Sequence, residues 1–454
     1  MRKIKLRPFE EVFPPDKGRR ILEESILLSS GRGICSSCGR VVPLWEILRE
    51  DFTYLLKECP QENFVSLTLL NKGVWEKEKG KYLLNFSPTF NYFLGEEFTG
   101  SLLKVSFLEK INTLVLRITN RCNAYCRICA DRKEIYGEEV GKEEIERGEV
   151  FYNRQIALTG GEPTVNEELP SIMEVLKKRS NLVSLCTNGL KLANLDYLSL
   201  LKDSGLDYVL LSFDGFGEEL YREIRGDEKQ YSLKMKALHN LRKLGLPTIL
   251  QTTLIKEKNE GDLSRIIELV MENSFIQGVW IKPVFLPGTP PFSGFDSSHL
   301  LSLQEIKSLI NQSCGISPEY FDLFYLSKYK VIKLLQKLYP YIKVSQPQKN
   351  QVLVKKTFEG IKPLLSKREM ENLIQGRWSV KYLPWLGFII KNRLSPLKIE
   401  KDLLKRGWKR INIGRSRGPR DIDLSKPVCY LYLIYDKEKG WVASSGSTLI
   451  TPQD

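Results

Sequence analysis

The chain has 454 residues, of which 42% are hydrophobic and 27% charged, and a net charge of +14. Its length suits about three domains at roughly 150 residues each, and its composition excludes a disordered chain. No run approaches about 18 consecutive apolar residues, and the N-terminus MRKIKLRPFEEVFPPDKGRR lacks the apolar core of a signal peptide, so a cytoplasmic protein is expected.

The positive charge is local. Residues 328–454 carry 27 basic and 10 acidic side chains, while the preceding 327 residues sum to −3. A concentrated basic surface favours an anionic substrate, a lipid headgroup or nucleic acid, and the alternative is a merely solvated surface. Only His239 and His299 are present, which removes zinc sites built on several histidines and most histidine acid–base schemes. Six of the nine cysteines fall in two tight groups, a pattern of metal or redox chemistry rather than of disulfides in a chain without an export signal.

In chain order, residues 1–105 read as a small metal-binding lobe. Cys35-Ser36-Ser37-Cys38 is a metal knuckle, with two thiolates closing on one ion across a tight turn, and Cys59 is the third ligand candidate. Zinc or a rubredoxin-like mononuclear iron is expected there, and reduced thiols in a small lobe are the alternative. Cys186, Cys314, Cys429, Glu62 and water stay open as the fourth ligand.

Residues 106–292 alternate β-rich runs with amphipathic helices, the pattern of a parallel sheet of β-α units. The predicted strands are 113–119, 155–159, 182–187, 208–213, 248–254 and 279–285. Leu233, Ala237, Leu238, Leu241 and Leu244 share one helix face, as do Leu263, Ile266, Ile267 and Val270. After a GTPPFSG break, residues 293–454 read as a mixed, largely helical and basic region whose end, from Trp408 to Leu449, is more strand-like. Its Arg377, Trp378, Lys381, Tyr382, Trp385, Lys391, Arg393, Trp408, Lys409 and Arg410 suit a membrane surface, a phosphorylated headgroup or single-stranded nucleic acid. The bland alternative is a small aromatic core with lysines outside.

The chemistry concentrates at the strand ends. Cys122, Cys126 and Cys129 form a C-x3-C-x2-C loop after the first strand, at the edge where β/α barrels place their active sites. Three thiolates on a four-iron cluster leave one iron open for a chelating molecule. Gly160 and Gly161 after the second strand permit close backbone approach, and Glu162 offers a carboxylate to an ammonium group. Thr187-Asn188-Gly189 follows the third strand, and Ser212, Asp214 and Gly215 follow the fourth.

These motifs and their order resemble the radical SAM superfamily. TNRCNAYCRICAD, LTGGEPTVNEELPSIMEVLKK, CTNGLKLAN, DSGLDYVLLSFDGFGEELYREIRG and the N-terminal CxxC and KECP elements are similar to the archaeal tetraether lipid synthase-like group over residues 30–290. The resemblance implies an α/β fold with a partial (β/α)6 barrel, and a [4Fe-4S] cluster on Cys122, Cys126 and Cys129. S-adenosylmethionine would be held at its methionyl end by Gly160, Gly161 and Glu162. Asn188, Ser212 and Asp214 become candidates for ribose or adenine contacts. Reductive cleavage would give a 5′-deoxyadenosyl radical that abstracts hydrogen from an unactivated carbon, with a low-potential electron donor as partner.

Two departures bear on substrate. About 25 residues separate Cys129 from the second strand, so the first helix of the core is expected to be truncated. Beyond residue 294 only Cys314 and Cys429 remain, too few for a cysteine-rich auxiliary cluster domain. A lipid or similar apolar, anionic-headed substrate with carbon–carbon bond formation is the first expectation, with peripheral membrane contact. A peptide or protein maturase is its rival, and a zinc-knuckle nucleic-acid-binding protein is the remote alternative. Cys186, inside an apolar strand, reads as a core residue.

Overall fold

The computed structural model of the chain describes residues 11–34, 41–72, 113–129, 139–148, 155–179, 181–284, 295–327, 350–376, 408–413, 430–436, 440–443 and 448–449. The first two stretches form strands β1 (Glu11–Phe13), β2 (Ile26–Ile34), β3 (Val41–Arg49), β4 (Phe52–Cys59) and β5 (Phe64–Lys72), an antiparallel sheet of order β1-β5-β4-β3-β2. Helix α1 (Pro15–Glu23) packs on it through Ile21, against Ile47, Leu56 and Val65. Cys35 and Cys38 lie outside the described residues, between the paired ends Ile34 and Val41. Cys59 ends β4, 2% exposed and beside Val42 and Phe64.

The six predicted core strands are all present, as β6 (Thr113–Arg117), β7 (Gln155–Thr159), β8 (Leu182–Thr187), β9 (Tyr208–Ser212), β10 (Thr248–Leu254) and β11 (Ile276–Pro283). They are parallel and stand side by side in sequence order. Parallel neighbours require crossover connections, and helices supply them: α2 (Lys142–Arg147), α3 (Leu169–Lys178), α4 (Leu195–Asp203), α5 (Glu218–Arg225), α6 (Lys229–Leu244) and α7 (Leu263–Glu272). The six-residue α2 matches the truncation that the short first connection predicted.

Alternation along the strands sorts the sheet into two unlike faces. Leu114, Leu116, Ile156, Leu158, Val183 and Leu185 point to one face and join the main core with Ile172, Met173, Leu176, Leu198, Leu241 and Ile266 of the helices. Each such burial contributes roughly 1.5–3 kcal/mol, so this layer dominates the stability of the sheet. The face turned away from these helices is mixed, carrying Arg117, Gln155, Ser184, Cys186, Tyr208 and Trp280 beside Val115, Ala157, Leu210 and Ile249 at the intervening positions. A strand buried in an all-apolar setting would read as an unbroken hydrophobic run; these strands do not.

The expectation of a largely helical C-terminal region needs correcting at residues 351–363, while the strand-like character expected from Trp408 to Leu449 is found. Helices α8 (Leu303–Cys314) and α9 (Lys367–Ile374) are present, but six strands accompany them: β12 (Gln351–Thr357), β13 (Gly360–Pro363), β14 (Lys409–Ile413), β15 (Tyr430–Asp436), β16 (Gly440–Ala443) and β17 (Thr448–Leu449). Strand β14 pairs in parallel with β11 and β15 pairs in parallel with β6, so the region extends both edges of the core sheet to give twelve strands. QVLVKKT, KRINI and YLYLIYD are short β-branched and aromatic runs. Such runs become strands where an open sheet edge supplies hydrogen-bond partners, a fact that periodicity within the run does not encode. Cys429 and all the basic, aromatic positions from Arg377 to Arg393 lie outside the described residues, whereas Trp408, Lys409 and Arg410 lie within them. No helix among the described residues is long and apolar enough to cross a membrane.

Candidate active site

The cysteine loop leaves the C-terminal edge of the sheet and is clamped from two sides. On one side, Gly161 N donates to Thr119 O at 2.9 Å and Glu162 N to Arg121 O at 2.8 Å, joining the end of β7 to the start of the loop. The two glycines are needed for that contact. A Cβ on Gly160 would lie 2.4 Å from Thr119 O, and one on Gly161 would lie 2.4 Å from Arg121 O. The close approach visible here is therefore to the chain's own backbone. On the other side, Arg127 N and Ile128 N donate to Ile224 O of α5 at 3.0 and 3.4 Å. The apolar side of this clamp gathers Ile128, Leu220, Ile224, Ile255, Val284 and Leu300, with Phe52 and Leu69 of the N-terminal sheet packed on it.

Cys126 is buried, Cys129 half-buried and Cys122 exposed. Among the described residues no three or more His, Cys, Asp or Glu side chains gather as a ready metal site. The donor chemistry nevertheless fits an iron–sulfur cluster, since three thiols stand on one eight-residue loop segment beside a guanidinium. Loss of hydration raises the Cys122 thiol and a hydrogen bond from the Ala124 backbone lowers it, while Glu162 raises and Arg225 lowers it further. Those opposed influences put Cys122, Glu162 and Arg225 in one electrostatic neighbourhood.

Glu162 is 1% exposed. Its Oε1 accepts from Thr164 N (3.1 Å), Thr164 Oγ1 (2.7 Å) and Thr187 Oγ1 (2.6 Å), and its Oε2 accepts from Asn188 N (2.7 Å). The carboxylate thus ties the end of β7 to the end of β8. Oε2, with one partner, retains acceptor capacity for an ammonium. Asn188 continues the tie, since its Nδ2 donates to Asn123 Oδ1 inside the cysteine loop at 2.8 Å.

Ser212 and Asp214 meet around a residue the sequence reading did not single out. Arg225, the last residue of α5, donates from Nε to Asp214 Oδ2 at 2.8 Å and from Nη2 to Ser212 Oγ at 3.0 Å. Burial works against its charge, but Asp214 and the Cys126 sulfur outweigh that and hold it protonated. Asp214 is fully buried, and its Oδ1 accepts from Thr253 N at 3.1 Å. Its reach toward a ligand runs through Arg225 and Ser212.

Lys234 was also missed. It is fully buried on α6, and its Nζ donates to Asn188 O and Ser212 O at 2.7 Å each. Burial and the Arg225 charge push its pKa down to about 8, opposed by Asp214, Cys126 and Glu162. The available signal was position, because Lys234 precedes Ala237 and Leu238 by three and four residues on the buried face of the helix.

The remaining cysteines separate. Cys186 stands on the face of the sheet away from the helices, not in the apolar core; burial pushes its thiol up to about 11, with Lys282 opposing and Glu162 reinforcing the shift. Cys314 ends α8 and donates to Ile310 O. Glu62 sits in the exposed turn that follows Cys59.

A parallel β-α core, a three-cysteine loop at its C-terminal edge and a buried glutamate at the next strand end define a cofactor-dependent catalytic domain of the β/α class. Residues 116–270 match the model of the radical SAM superfamily, so the chain carries a radical SAM domain, whose cofactors are a [4Fe-4S] cluster and S-adenosylmethionine. Over 278 residues the chain is 30% identical to a 7,8-dihydro-6-hydroxymethylpterin dimethyltransferase of Methanocaldococcus jannaschii, covering 56% of this chain and 53% of that one. Over 236 residues it is 28% identical to a GTP 3′,8-cyclase of Alkaliphilus metalliredigens, covering 48% of this chain and 69% of that one. The chain thus spans about half the length of the first of these curated relatives. Among solved structures, Streptococcus suis SuiB matches 44% of this chain and 45% of its own at 14% identity, with a TM-score of 0.37.

Proposed function

We propose that the chain is a radical SAM enzyme whose cluster is held by Cys122, Cys126 and Cys129 in a partial (β/α)6 barrel. One observation carries this reading: within the matched residues, Glu162, Asn188 and Arg225 knit the cysteine loop to the ends of β7, β8 and β9. When bound, the reduced cluster supplies the electron that splits S-adenosylmethionine into methionine and a 5′-deoxyadenosyl radical able to take hydrogen from an unactivated C–H bond.

The chain's own residues then have distinct tasks. The free capacity of Glu162 Oε2 accepts from the methionyl ammonium, and Gly160 and Gly161 hold that strand end against the cysteine loop. Arg225 fixes Ser212 and Asp214, and Ser212 and Asn188 face the nucleoside end. Ile128, Ile224 and Val284, with Phe52 of the N-terminal sheet, exclude water from the loop. A low-potential electron donor is the required partner, and Cys35, Cys38 and Cys59 are proposed to hold zinc or a mononuclear iron in the N-terminal lobe.

For substrate, the polar side chains on the mixed face of the sheet, Gln251, Trp280 and Asn412 among them, favour a hydrogen-bonding molecule at the reacting position, in the manner of the pterin and GTP named for the two relatives. The alkyl-chain reading, with carbon–carbon coupling and membrane contact, retains the support of the basic C-terminal composition. Anaerobically reconstituted protein given S-adenosylmethionine and a strong reductant should release 5′-deoxyadenosine, and Cys126→Ala should assemble no cluster and release none. Full activity in Cys126→Ala would sink the assignment. Adding total lipid or a polar small-molecule extract should separate the substrate classes by which one stimulates release.

A further inference from the structure

Among the described residues, two of the buried polar atoms without a hydrogen-bond partner, Trp280 Nε1 and Asn412 Oδ1, stand on the face of the sheet turned away from the helices, where the Arg410 side chain also lies. Val279 and Ile281 of β11 and Ile411 of β14 point into the helix-facing core, so Trp280 and Asn412 stand on the opposite face. They are direct register partners across the β11–β14 pair, and Gln251 of β10 is the next partner in the same row. Trp280 Nε1 and Asn412 Oδ1 are both buried without a hydrogen-bond partner, and Asn412 is only 4% exposed. Strands β6 to β11 contain no Asp or Glu that could take the indole proton. One face of the indole is already taken, since Lys282 Nζ lies 4.4 Å from its ring centroid.

A buried donor or acceptor without a partner is destabilising, so two on adjacent strands stand out in a part of the sheet that packing alone would fill with apolar side chains. One is a donor and the other an acceptor. A lactam edge, with a carbonyl beside an N–H, would complete both at once: its oxygen accepts from Trp280 Nε1 and its N–H donates to Asn412 Oδ1. An alkyl chain in the same place would leave both unpaired, and sites built on hydrogen bonds reject analogues that lack them.

We propose that Trp280 and Asn412 form the recognition edge of the substrate site and select a planar heterocycle bearing a lactam edge. This rests on the radical SAM reading above only in treating that face of the sheet as the substrate side, and it names a substrate class which that reading leaves open.

The test uses the anaerobically reconstituted full chain with S-adenosylmethionine bound, and equilibrium dialysis of two matched pairs of probes. Inosine and lumazine carry the lactam edge, whereas purine riboside and pteridine lack it. At least one lactam probe should bind tenfold or more tightly than its partner. Trp280→Phe keeps the ring and removes only the donor, while Asn412→Leu keeps the bulk and removes the acceptor. Each should reduce the preference to less than threefold, with the cluster's absorption unchanged as a check on folding. Equal affinities within both pairs, no binding of any probe, or a preference that survives both substitutions overturns the proposal, as does hexadecyl phosphate binding more tightly than either lactam probe. Deoxyadenosine release by the same wild-type preparation without substrate reports on the parent reading separately. Cleavage without lactam preference removes this inference alone, and lactam preference without cleavage removes the radical reading alone.

Discussion

Two lysines are buried at opposite edges of the core sheet in similar ways. Lys234, at the C-terminal edge, donates to Asn188 O and Ser212 O; Lys409, at the N-terminal edge, donates to Asn273 O, Ser274 O and Ile276 O. Both pKa values are pushed down to about 8. The causes differ. Burial alone acts on Lys409, whereas Lys234 also answers to Arg225, Asp214, Cys126 and Glu162. A lowered lysine pKa by itself marks a buried cation, and it marks chemistry only where other charges converge on the same point. Lys409 is a fastener between β14 and the start of β11, while Lys234 fastens the two strand ends that flank the candidate cofactor site.

Replacing either lysine by methionine should break the molecule to a similar degree and the site to a different one. Each change removes two or three charge-assisted hydrogen bonds to main-chain carbonyls, an expected loss of about 2–4 kcal/mol in denaturant unfolding. Lys234→Met should in addition weaken S-adenosylmethionine binding by about tenfold, equivalent to about 1.4 kcal/mol, because Asn188 and Ser212 lose their common anchor. A matching loss of cofactor affinity in Lys409→Met, followed through the cluster's spectrum, would erase the distinction between the two edges.

Glu162 sharpens the same contrast. Glu162→Gln keeps the volume but turns a donor toward either Asn188 N or the Thr187 hydroxyl, so cluster assembly should persist while S-adenosylmethionine affinity falls by about tenfold. Retained affinity in this variant would assign the glutamate to structure only. Glu162→Ala is the cruder test, since it also strands Thr187 and Asn188.

The smallest expected effect is on pH dependence. The Lys234 pKa is about 8 in the folded chain against 10.5 for an ordinary lysine. Between those values the unfolded chain binds more protons, so this group makes folding more favourable as pH rises, by at most about 1.4 kcal/mol per pH unit. Relative to Lys234→Met, the wild type should gain stability across that window and show a flat difference below it. Lys409 should give the same stability profile, but only the Lys234 comparison should carry a pH-dependent change in cofactor affinity.

The sequence exposed the parts of the fold that local pattern determines. All six core strands, the short first connection and the convergence of Cys126, Glu162, Asn188 and Ser212 followed from alternation, glycine placement and motif order. It did not expose Arg225 or Lys234, because each acts through a contact across many residues: Arg225 reaches back 11 positions to Asp214, and Lys234 reaches back 46 to Asn188. It misread β12 as part of a helical region, and although β14 and β15 fall in the stretch expected to be strand-like, it did not show that they pair with the open edges of a sheet made elsewhere in the chain. Cys186 shows the same limit, since an apolar strand buried on one face gives no sign of what its other face meets.

The two edge pairings have a consequence for how this chain is made. Strand β6, which leads into the cysteine loop, acquires its outer neighbour only from Tyr430–Asp436, more than 300 residues later, and β11 acquires its own from Lys409–Ile413. During vectorial synthesis both flanks of the radical SAM sheet therefore stay unprotected until the last part of the chain has left the ribosome. Unpaired parallel edges are templates for self-association. A fragment ending after residue 292 would keep every cofactor ligand candidate at the strand ends and yet expose both flanks permanently, making the C-terminal strands a built-in chaperone for the domain that precedes them.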